Sequence, residues 1–242
     1  MSYENPDEKS NEQTIEKHNE LWTAVDTYIA QNLIPSDPIL EEALKANAEG
    51  GLPSIDVSPT QGKFLYLLAK IKGATRILEI GTLGGYSTIW LARALPSGGK
   101  LITLEVDPQH AEVASKNIAR AGLTALVEQR VGPALDTFAQ LQSEHTPSFD
   151  LIFIDADKPN NPSYLDWALR FSHPGTIIIT DNVIREGTIL NPDDPDPAVR
   201  GTRSLFEKLG AEPRLEATAL QTVGSKKHDG FAIAIVKAEP GN

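Results

Sequence analysis

The chain has 242 residues, and 22 Lys and Arg against 33 Asp and Glu give it a formal net charge of −11 at pH 7. It contains no cysteine, which excludes disulfide scaffolds, thiolate metal sites and cysteine nucleophiles. This acidity argues against a nucleic-acid partner, which needs a basic face. A hydrophobic share of 40% is typical of globular chains rather than disordered ones.

The N-terminal part of the chain is predicted to be a flexible polar tail over residues 1–14, followed by one domain over residues 15–242. The start lacks the basic residues and apolar run of a signal peptide, and no apolar run approaches the roughly 18 residues of a membrane span. We therefore expect a cytoplasmic protein without a membrane partner. Helical periodicity predicts helices within residues 15–72, the third of them opened by Ser58 as N-cap and Pro59 as first residue.

From residue 73 onward, short apolar runs alternate with helical patterns. Strands are predicted at 76–80, 100–105, 125–130, 150–154, 175–180, 214–220 and 231–237, and helices at 86–95, 108–121, 134–141, 164–171 and 198–209. This alternation predicts an α/β fold with a doubly wound, mostly parallel seven-stranded sheet and helices on both faces. No helix separates the last two strands, so the sheet is expected to end in an antiparallel hairpin. The Pro- and Asp-rich stretch 191–197 is predicted to be an exposed loop.

The first predicted strand of this core runs into a glycine-rich turn, Gly81-Thr82-Leu83-Gly84-Gly85-Tyr86. Doubly wound sheets bind ligands at the carboxyl ends of their strands, although an ordinary strand-to-helix turn also uses glycine. The turn lacks the third glycine of a dinucleotide fingerprint and the Lys-Ser of a phosphate loop. Glu79 would repel a pyrophosphate, and Glu105 can accept hydrogen bonds from ribose hydroxyls at the next strand end. These features favour a cationic nucleoside.

Oxygen-bearing side chains end two further predicted strands. Asp155 ends the fourth strand, and Asp181 and Asn182 end the fifth. Neighbouring parallel strands end at the same edge of a sheet, so these side chains are expected to converge there. Two carboxylates and an amide oxygen suit Mg²⁺, Mn²⁺ or Ca²⁺. The residues alone also allow a purely structural interpretation, in which they are turn and strand-end residues.

Four segments together carry a family resemblance: LEIGTLGGYS, ITLEVDP, FDLIFIDADK and IIITDNVIREG. In order and spacing they resemble the class I S-adenosylmethionine-dependent O-methyltransferases, in the cation-dependent family of caffeoyl-CoA and catechol O-methyltransferases. The resemblance extends from about Ser54 to the C-terminus. It implies a Rossmann-like methyltransferase fold, S-adenosylmethionine (SAM) as cosubstrate and a homodimer.

The same resemblance implies a set of site residues. Cosubstrate contacts are implied at Val57, Glu79, Gly81, Thr82, Ser87, Glu105, Ala134 and Asp157, and a divalent cation is implied at Asp155, Asp181 and Asn182. Lys158 and Asp155 are the implied catalytic residues. Lys158 would act either as the base that takes the hydroxyl proton or as a cation that stabilises the phenolate. Pro133 departs from the acidic residue that is common beside Ala134 in the family.

The resemblance further implies methyl transfer to a hydroxyl of a small catechol-type acceptor. Glu186 stands where the plant enzymes that act on coenzyme A esters use an asparagine, and with the acidic 191–197 loop it argues against such an ester. Two alternatives remain at this point. One is a methyltransferase that needs no metal, and the other is a catalytically silent nucleoside-binding or dimerisation module.

Overall fold

One seven-stranded sheet forms the centre of the molecule, with the strand order β3-β2-β1-β4-β5-β7-β6. The structure, a computed structural model, describes the backbone of residues 6–238 and the side chains of residues 16–238. The strands are β1 (Arg76–Ile80), β2 (Lys100–Glu105), β3 (Val127–Val131), β4 (Phe149–Ile154), β5 (Ser172–Asp181), β6 (Leu215–Gly224) and β7 (Lys227–Val236). The helices are α1 (Pro6–Leu33), α2 (Pro38–Glu49), α3 (Pro59–Lys72), α4 (Tyr86–Ala94), α5 (Pro108–Arg120), α6 (Ala134–Ser143), α7 (Asn161–Arg170) and α8 (Pro197–Ala211).

The direction of the strands confirms the predicted fold class. Strands β1 to β5 pair in parallel, while β7 is antiparallel to both β5 and β6. The chain order reverses between β1 and β4, which lie side by side in the middle of the sheet. Ligands of doubly wound sheets bind where the order reverses, outside the carboxyl ends of the strands. The fold therefore places a binding crevice beyond Ile80 and Ile154.

Element boundaries follow the prediction closely in the middle of the sheet and less closely at its edge. The predicted bounds of β1 and β2 are confirmed, whereas β6 and β7 are several residues longer at the hairpin end than predicted. The exposed edge strand β6 carries polar residues, so the apolar pattern ends before the backbone pairing does. Helix α7 begins at Asn161 rather than at residue 164, because Pro162 fits the first turn of a helix.

The N-terminal prediction needs a correction. Residues 6–14, assigned to the tail, are helical and belong to α1. Proline is favoured in a first helical turn, and no glycine or further proline interrupts the chain before Leu33. Residues 1–5 of the predicted tail and residues 239–242 lie outside the described part. The N-cap of α3 is confirmed, since the Ser58 hydroxyl accepts a hydrogen bond from the Gln61 N–H at 3.2 Å.

Apolar side chains pack on both faces of the sheet, and β1 and β4 are buried between them. Phe138 and Phe149 belong to the cluster on one face, and Leu65 and Phe153 to the cluster on the other. Central parallel strands buried on both faces carry nearly continuous apolar runs, as β4 does. Among residues 6–238, no helix has both the length and the apolar character that crossing a membrane requires.

Candidate active site

A cavity of about 1150 Å³ lies at the carboxyl edge of the sheet. Its walls come from the strand ends, the loop before α3, the first turns of α3 and the β6–β7 hairpin. It brings together eleven of the twelve residues that the sequence analysis selects: Val57, Gly81, Thr82, Ser87, Glu105, Ala134, Asp155, Asp157, Lys158, Asp181 and Asn182. The sequence therefore located this wall of the cavity well.

Gly81 is the point where the ends of β1 and β4 meet. Its φ of +98° lies in a region that side-chain-bearing residues avoid. A Cβ atom there would lie 2.0 Å from the backbone oxygen of Asp155. The turn after β1 and the strand end that carries Asp155 are thus in direct backbone contact.

Glu105 holds the glycine-rich turn in place. One of its carboxylate oxygens accepts hydrogen bonds from the backbone N–H groups of Thr82 at 3.2 Å and Leu83 at 2.8 Å. The other accepts from the N–H of Asp107 at 3.0 Å and lies 3.7 Å from the His110 ring. Glu105 also lines the cavity, and its contact to a ribose stays a prediction.

Glu79 is the one predicted contact residue that does not line the cavity. Its side chain is fully buried and accepts hydrogen bonds from three hydroxyls at 2.5–2.7 Å, those of Ser87, Thr88 and Thr103. Burial raises the pKa of this carboxyl to about 7 although the hydroxyls favour its ionised form. Ser87, which donates to Glu79, is the residue that faces the cavity, and a direct contact between Glu79 and the cosubstrate stays a prediction.

Lys158 and Asp181 lie at the two strand ends that carry the predicted cation ligands. The Lys158 ammonium group donates to Asp155 at 2.8 Å, and only 9% of the residue is exposed. Asp181 is also buried, and it accepts hydrogen bonds from the Gln61 amide at 2.6 Å and from the Asn182 N–H at 2.8 Å. Burial raises the pKa of the Asp181 carboxyl, and the negative charge of Asp155 adds to the rise while Lys158 opposes it.

The donor set at this edge fits a hard divalent cation. Within residues 16–238, no group of three or more His, Cys, Asp or Glu side chains could hold a metal, but here an amide joins two carboxylates. Asn182 has a φ of +54°, and no described residue forms a hydrogen bond with its side-chain amide or with the second oxygen of Asp155. Lys158 pairs with one oxygen of Asp155, and oxygen ligands are left available for Mg²⁺ or Ca²⁺.

Asp157 lines the same cavity and is exposed to solvent. It accepts hydrogen bonds from the Asn160 amide at 2.6 Å and from the Tyr164 hydroxyl. Burial raises the pKa of Tyr164, and the adjacent negative charge of Asp157 raises it further. Tyr164 therefore remains a hydrogen-bond donor at neutral pH and fixes Asp157 in the cavity wall.

An aromatic wall stands next to the acidic groups. Phe64 and Phe231 line the cavity, and their ring centroids are 5.0 Å apart. Phe231 pairs directly with Asp181 across the β5–β7 ladder, and Phe64 follows Gln61 by about one helical turn. A flat apolar group can therefore rest against these rings with its polar edge towards Asp181.

Sequence reasoning missed Gln61, Phe64 and Phe231. Gln61 contacts a carboxylate that is 120 residues away in the chain, and no local pattern encodes such a pair. The two phenylalanines follow the ordinary apolar periodicity of core residues. The N-cap at Ser58 was the one available signal, because it fixes the first turn of α3, which carries Gln61.

Comparison with known proteins gives a consistent result. Residues 31–234 match a family described as O-methyltransferase. A catechol O-methyltransferase from Niastella koreensis is 54% identical over 220 residues, which cover 91% of this chain and 100% of that protein. Caffeoyl-CoA O-methyltransferase 2 from Zea mays is 32% identical over 183 residues, covering 73% of this chain and 69% of that protein.

Among solved structures, an O-methyltransferase from Bacillus cereus in complex with SAH is 59% identical. It superimposes with a TM-score of 0.90 and covers 90% of this chain and 100% of its own. The likeness therefore extends over most of this chain and the whole of that protein.

Proposed function

Given that this chain belongs to the O-methyltransferase family and is a SAM-dependent methyltransferase, we propose that it methylates a hydroxyl of a small catechol with the help of a divalent cation. The two vicinal hydroxyls of a catechol would face Asp155, Asp181 and Asn182. Its ring would rest against the aromatic wall formed by Phe64 and Phe231.

The observation that carries this proposal is the position of Lys158. It donates to Asp155 at 2.8 Å on the cavity wall that also holds Asp181 and Asn182. The acceptor hydroxyl must ionise before it attacks the methyl group. A positive group among hard oxygen ligands would stabilise the ionised oxygen. The 54% identity to a catechol O-methyltransferase supports an active enzyme over the catalytically silent module.

Methyl transfer from SAM does not require a covalent bond between the protein and the methyl group. The hydroxyl oxygen forms a bond to the methyl carbon while the carbon–sulfur bond breaks, and that electron pair stays on sulfur. The residues around the cavity supply position: Glu105 and the glycine-rich turn hold the donor, and the Asp181 wall holds the acceptor. Holding two reactants in line contributes a large part of such a rate.

Of the two roles considered for Lys158, the ion pair supports the electrostatic one. In the structure the Lys158 side chain is engaged in an ion pair with Asp155 at 2.8 Å, and this contact favours a role for its positive charge. Its charge beside the acceptor favours ionisation of the hydroxyl, and the released proton passes to water. A divalent cation held by Asp155, Asp181 and Asn182 would add further positive charge that stabilises the ionised hydroxyl.

A coenzyme A ester fits the rim of the cavity less well than a free catechol does. Glu186 is exposed, and its carboxylate lies 3.8 Å from the Lys227 ammonium, which leaves that lysine already paired. A polyanionic tail would meet an unfavourable field on a chain with a net charge of −11. Agreement with the named catechol enzyme is also higher than with the plant caffeoyl-CoA enzyme, 54% against 32%.

The decisive experiment is a methyl-transfer assay with catechol, a monophenol and a catechol-bearing coenzyme A ester, each with Mg²⁺ and with excess chelator. We expect turnover of catechol that the chelator abolishes and added Mg²⁺ restores. Activity that survives exhaustive chelation would instead support the metal-independent alternative. If no vicinal diol is methylated, the acceptor assignment is wrong.

We also propose a homodimer, supported by an apolar stripe on α1. Leu21, Val25, Tyr28 and Leu33 follow helical spacing and are between 48% and 69% exposed. Contiguous apolar surface of this kind is typical of protein contacts. Light scattering coupled to size exclusion should give twice the chain mass of 26.2 kDa, and Tyr28→Glu should reduce it. A monomeric wild-type protein at micromolar concentration would contradict the dimer.

A further inference from the structure

We propose that helix α8 sets the position of Lys158, and that Gly201 is the positioning residue through which it does so. This inference rests on the proposed function, since it takes Lys158 as a catalytic residue. It concerns a helix whose residues are absent from the cavity wall and which none of the four family segments includes.

The backbone around Lys158 needs support from outside. Lys158 begins a 3-10 helix of three residues, Lys158–Asn160, whose first residue is not capped by the Asp157 side chain. Short 3-10 helices have poor hydrogen-bond geometry and do not fix a buried ammonium group by themselves. Yet the Lys158 side chain is 90% buried and is held at 2.8 Å from Asp155. Some other element must define where this backbone lies.

Helix α8 supplies that support at one residue. Gly201 is buried in the middle of the helix, and a Cβ atom on it would lie 2.3 Å from the Lys158 carbonyl oxygen. The same atom would lie 2.7 Å from the Cα atom of Pro159. Both neighbours are backbone atoms and cannot rotate away as a side chain would. Helix and lysine backbone are therefore in contact, with no side chain between them.

Both ends of α8 are fixed. At the N-terminus, Asp196 accepts from the Ala198 N–H at 2.8 Å and lies 3.3 Å from the Arg185 guanidinium group. Near the C-terminus, the Lys208 ammonium donates to the Pro162 carbonyl at 3.1 Å and to Asp166 at 2.5 Å. A helix tied at both ends is a rigid support for what touches its middle. The acidic loop 191–197 contains the cap residue Asp196. Through this cap the loop supports α8, and so the position of Lys158, without touching a substrate.

The expected effect of Gly201→Ala follows from the distances. The added methyl group requires α8 and the Lys158 backbone to separate by several tenths of an ångström. A shift of about 1 Å in a catalytic group can lower a rate about a hundredfold, so we expect kcat to fall about ten- to a hundredfold. The KM for SAM should change less than kcat, because most of the predicted donor contacts lie on other strand ends and only Asp157 adjoins Lys158.

The chain offers a matched control in the same helix. Gly210 is exposed, and a Cβ atom there would meet no atom within 4 Å. Gly210→Ala makes the same chemical change in α8 and should leave kcat unchanged. The melting temperature and calorimetric binding of S-adenosylhomocysteine (SAH) are measured for both variants. Those two readouts show whether Gly201→Ala is folded and keeps its donor site.

A double-mutant cycle separates positioning from general damage. Rates of methyl transfer from SAM to catechol are measured at single turnover, where slow reactions remain detectable, for Gly201→Ala, Lys158→Met and the combination. If Gly201 acts through Lys158, the double variant should be no slower than Lys158→Met alone. If the rate losses of the two single variants multiply in the double variant, the inference is overturned. A Gly201→Ala enzyme with wild-type kcat would overturn it as well. If Lys158→Met itself keeps wild-type turnover, it is the proposed role of the lysine that fails.

Discussion

At the scale of single residues, the two carboxylates among the predicted cation ligands have different surroundings. Asp155 is partly exposed and is paired with the ammonium group, whereas Asp181 is buried and is held by an amide and a backbone N–H. Burial of Asp181 beside a second carboxylate raises its pKa. The ionised form of Asp181 is therefore disfavoured in the free site, and a bound cation would stabilise it.

Lys158 can be tested by two substitutions that differ in charge. Lys158→Met removes the ammonium group from the cavity wall and should lower kcat about a hundred- to a thousandfold, as the loss of an electrostatic stabiliser does. Lys158→Arg keeps the charge but cannot act as a base, and it should retain about tenfold more activity than Lys158→Met. Initial rates at saturating SAM and catechol give both values. Equal loss in the two variants would indicate a base instead.

At the scale of elements, a buried amide network joins three segments around the glycine-rich turn. Asn47 of α2 donates to Asp56 at 2.8 Å, and Asn117 of α5 donates to Asn47 at 3.0 Å and to the Gly84 carbonyl at 2.9 Å. A Cβ atom on Gly84 would lie 1.8 Å from the Asn47 amide oxygen. The turn, α2, α5 and the loop before α3 therefore hold one another in position.

Gly84→Ala should disturb this network and, through it, the donor site. We expect a loss of stability of about 1–3 kcal/mol, the usual cost of overpacking, together with weaker SAH binding in calorimetry. Asn47→Ala removes the amide that the new methyl group would strike. The double variant should therefore be more stable than the sum of the two single changes predicts. If the stability losses of the two single variants simply add, the close contact between Gly84 and Asn47 does not constrain the turn.

A second set of hydrogen bonds between elements lies at the opposite edge of the sheet. Asp150 of β4 accepts hydrogen bonds from the backbone N–H groups of Thr75 at 2.7 Å and Arg76 at 2.9 Å, and its other oxygen lies 3.0 Å from the His173 ring. Burial alone would raise the pKa of Asp150, but these hydrogen bonds lower it to about 2. The carboxylate thus links the starts of β1, β4 and β5.

The low pKa of Asp150 predicts a pH dependence of stability. A carboxyl whose pKa is lower in the folded than in the unfolded state contributes fully above its unfolded pKa of about 4, and the contribution is lost as the pH falls towards 2. Asp150→Asn should cost roughly 1–2 kcal/mol at pH 7 and should weaken the fall of stability between pH 4 and 2. Urea denaturation at several pH values measures both effects. An unchanged acid profile would contradict this assignment.

At the scale of the whole molecule, the sequence predicts what the strands themselves encode. Asp155 and Asp181 end predicted strands, and parallel pairing alone brings such ends to one edge. Gln61 and Phe231 enter the same cavity from α3 and from an edge hairpin, so their approach depends on tertiary packing that no local pattern contains. The hydroxyls of Ser87, Thr88 and Thr103 that surround Glu79 likewise come from other elements, α4 and β2, and the sequence did not predict this burial.

Most of the predicted cosubstrate contacts lie at or just after the ends of four strands, β1 to β4, so binding of SAM or SAH there should stabilise the entire fold. SAH at a hundred times its Kd adds about 2.7 kcal/mol to the free energy of unfolding, which corresponds to an increase in Tm of about 5–10 °C for a chain of this size. Glu105→Ala, which removes the carboxylate that orders the turn, should lose most of this increase. Thermal scans with and without SAH test it, and an unchanged wild-type Tm would place the donor elsewhere.

The contact at Gly81 limits how this enzyme can diverge. The position demands glycine for two independent reasons, a φ of +98° and a Cβ position only 2.0 Å from the Asp155 carbonyl oxygen. No single substitution removes both constraints, so we expect variants with another residue at position 81 to be inactive. Gly132, beside the start of α6, has a positive φ of +139° and is therefore also restricted to glycine, but its neighbour Pro133 already departs from the common pattern. Evolution and directed engineering should therefore adjust donor affinity at the α6 side of the cavity and leave Gly81 invariant.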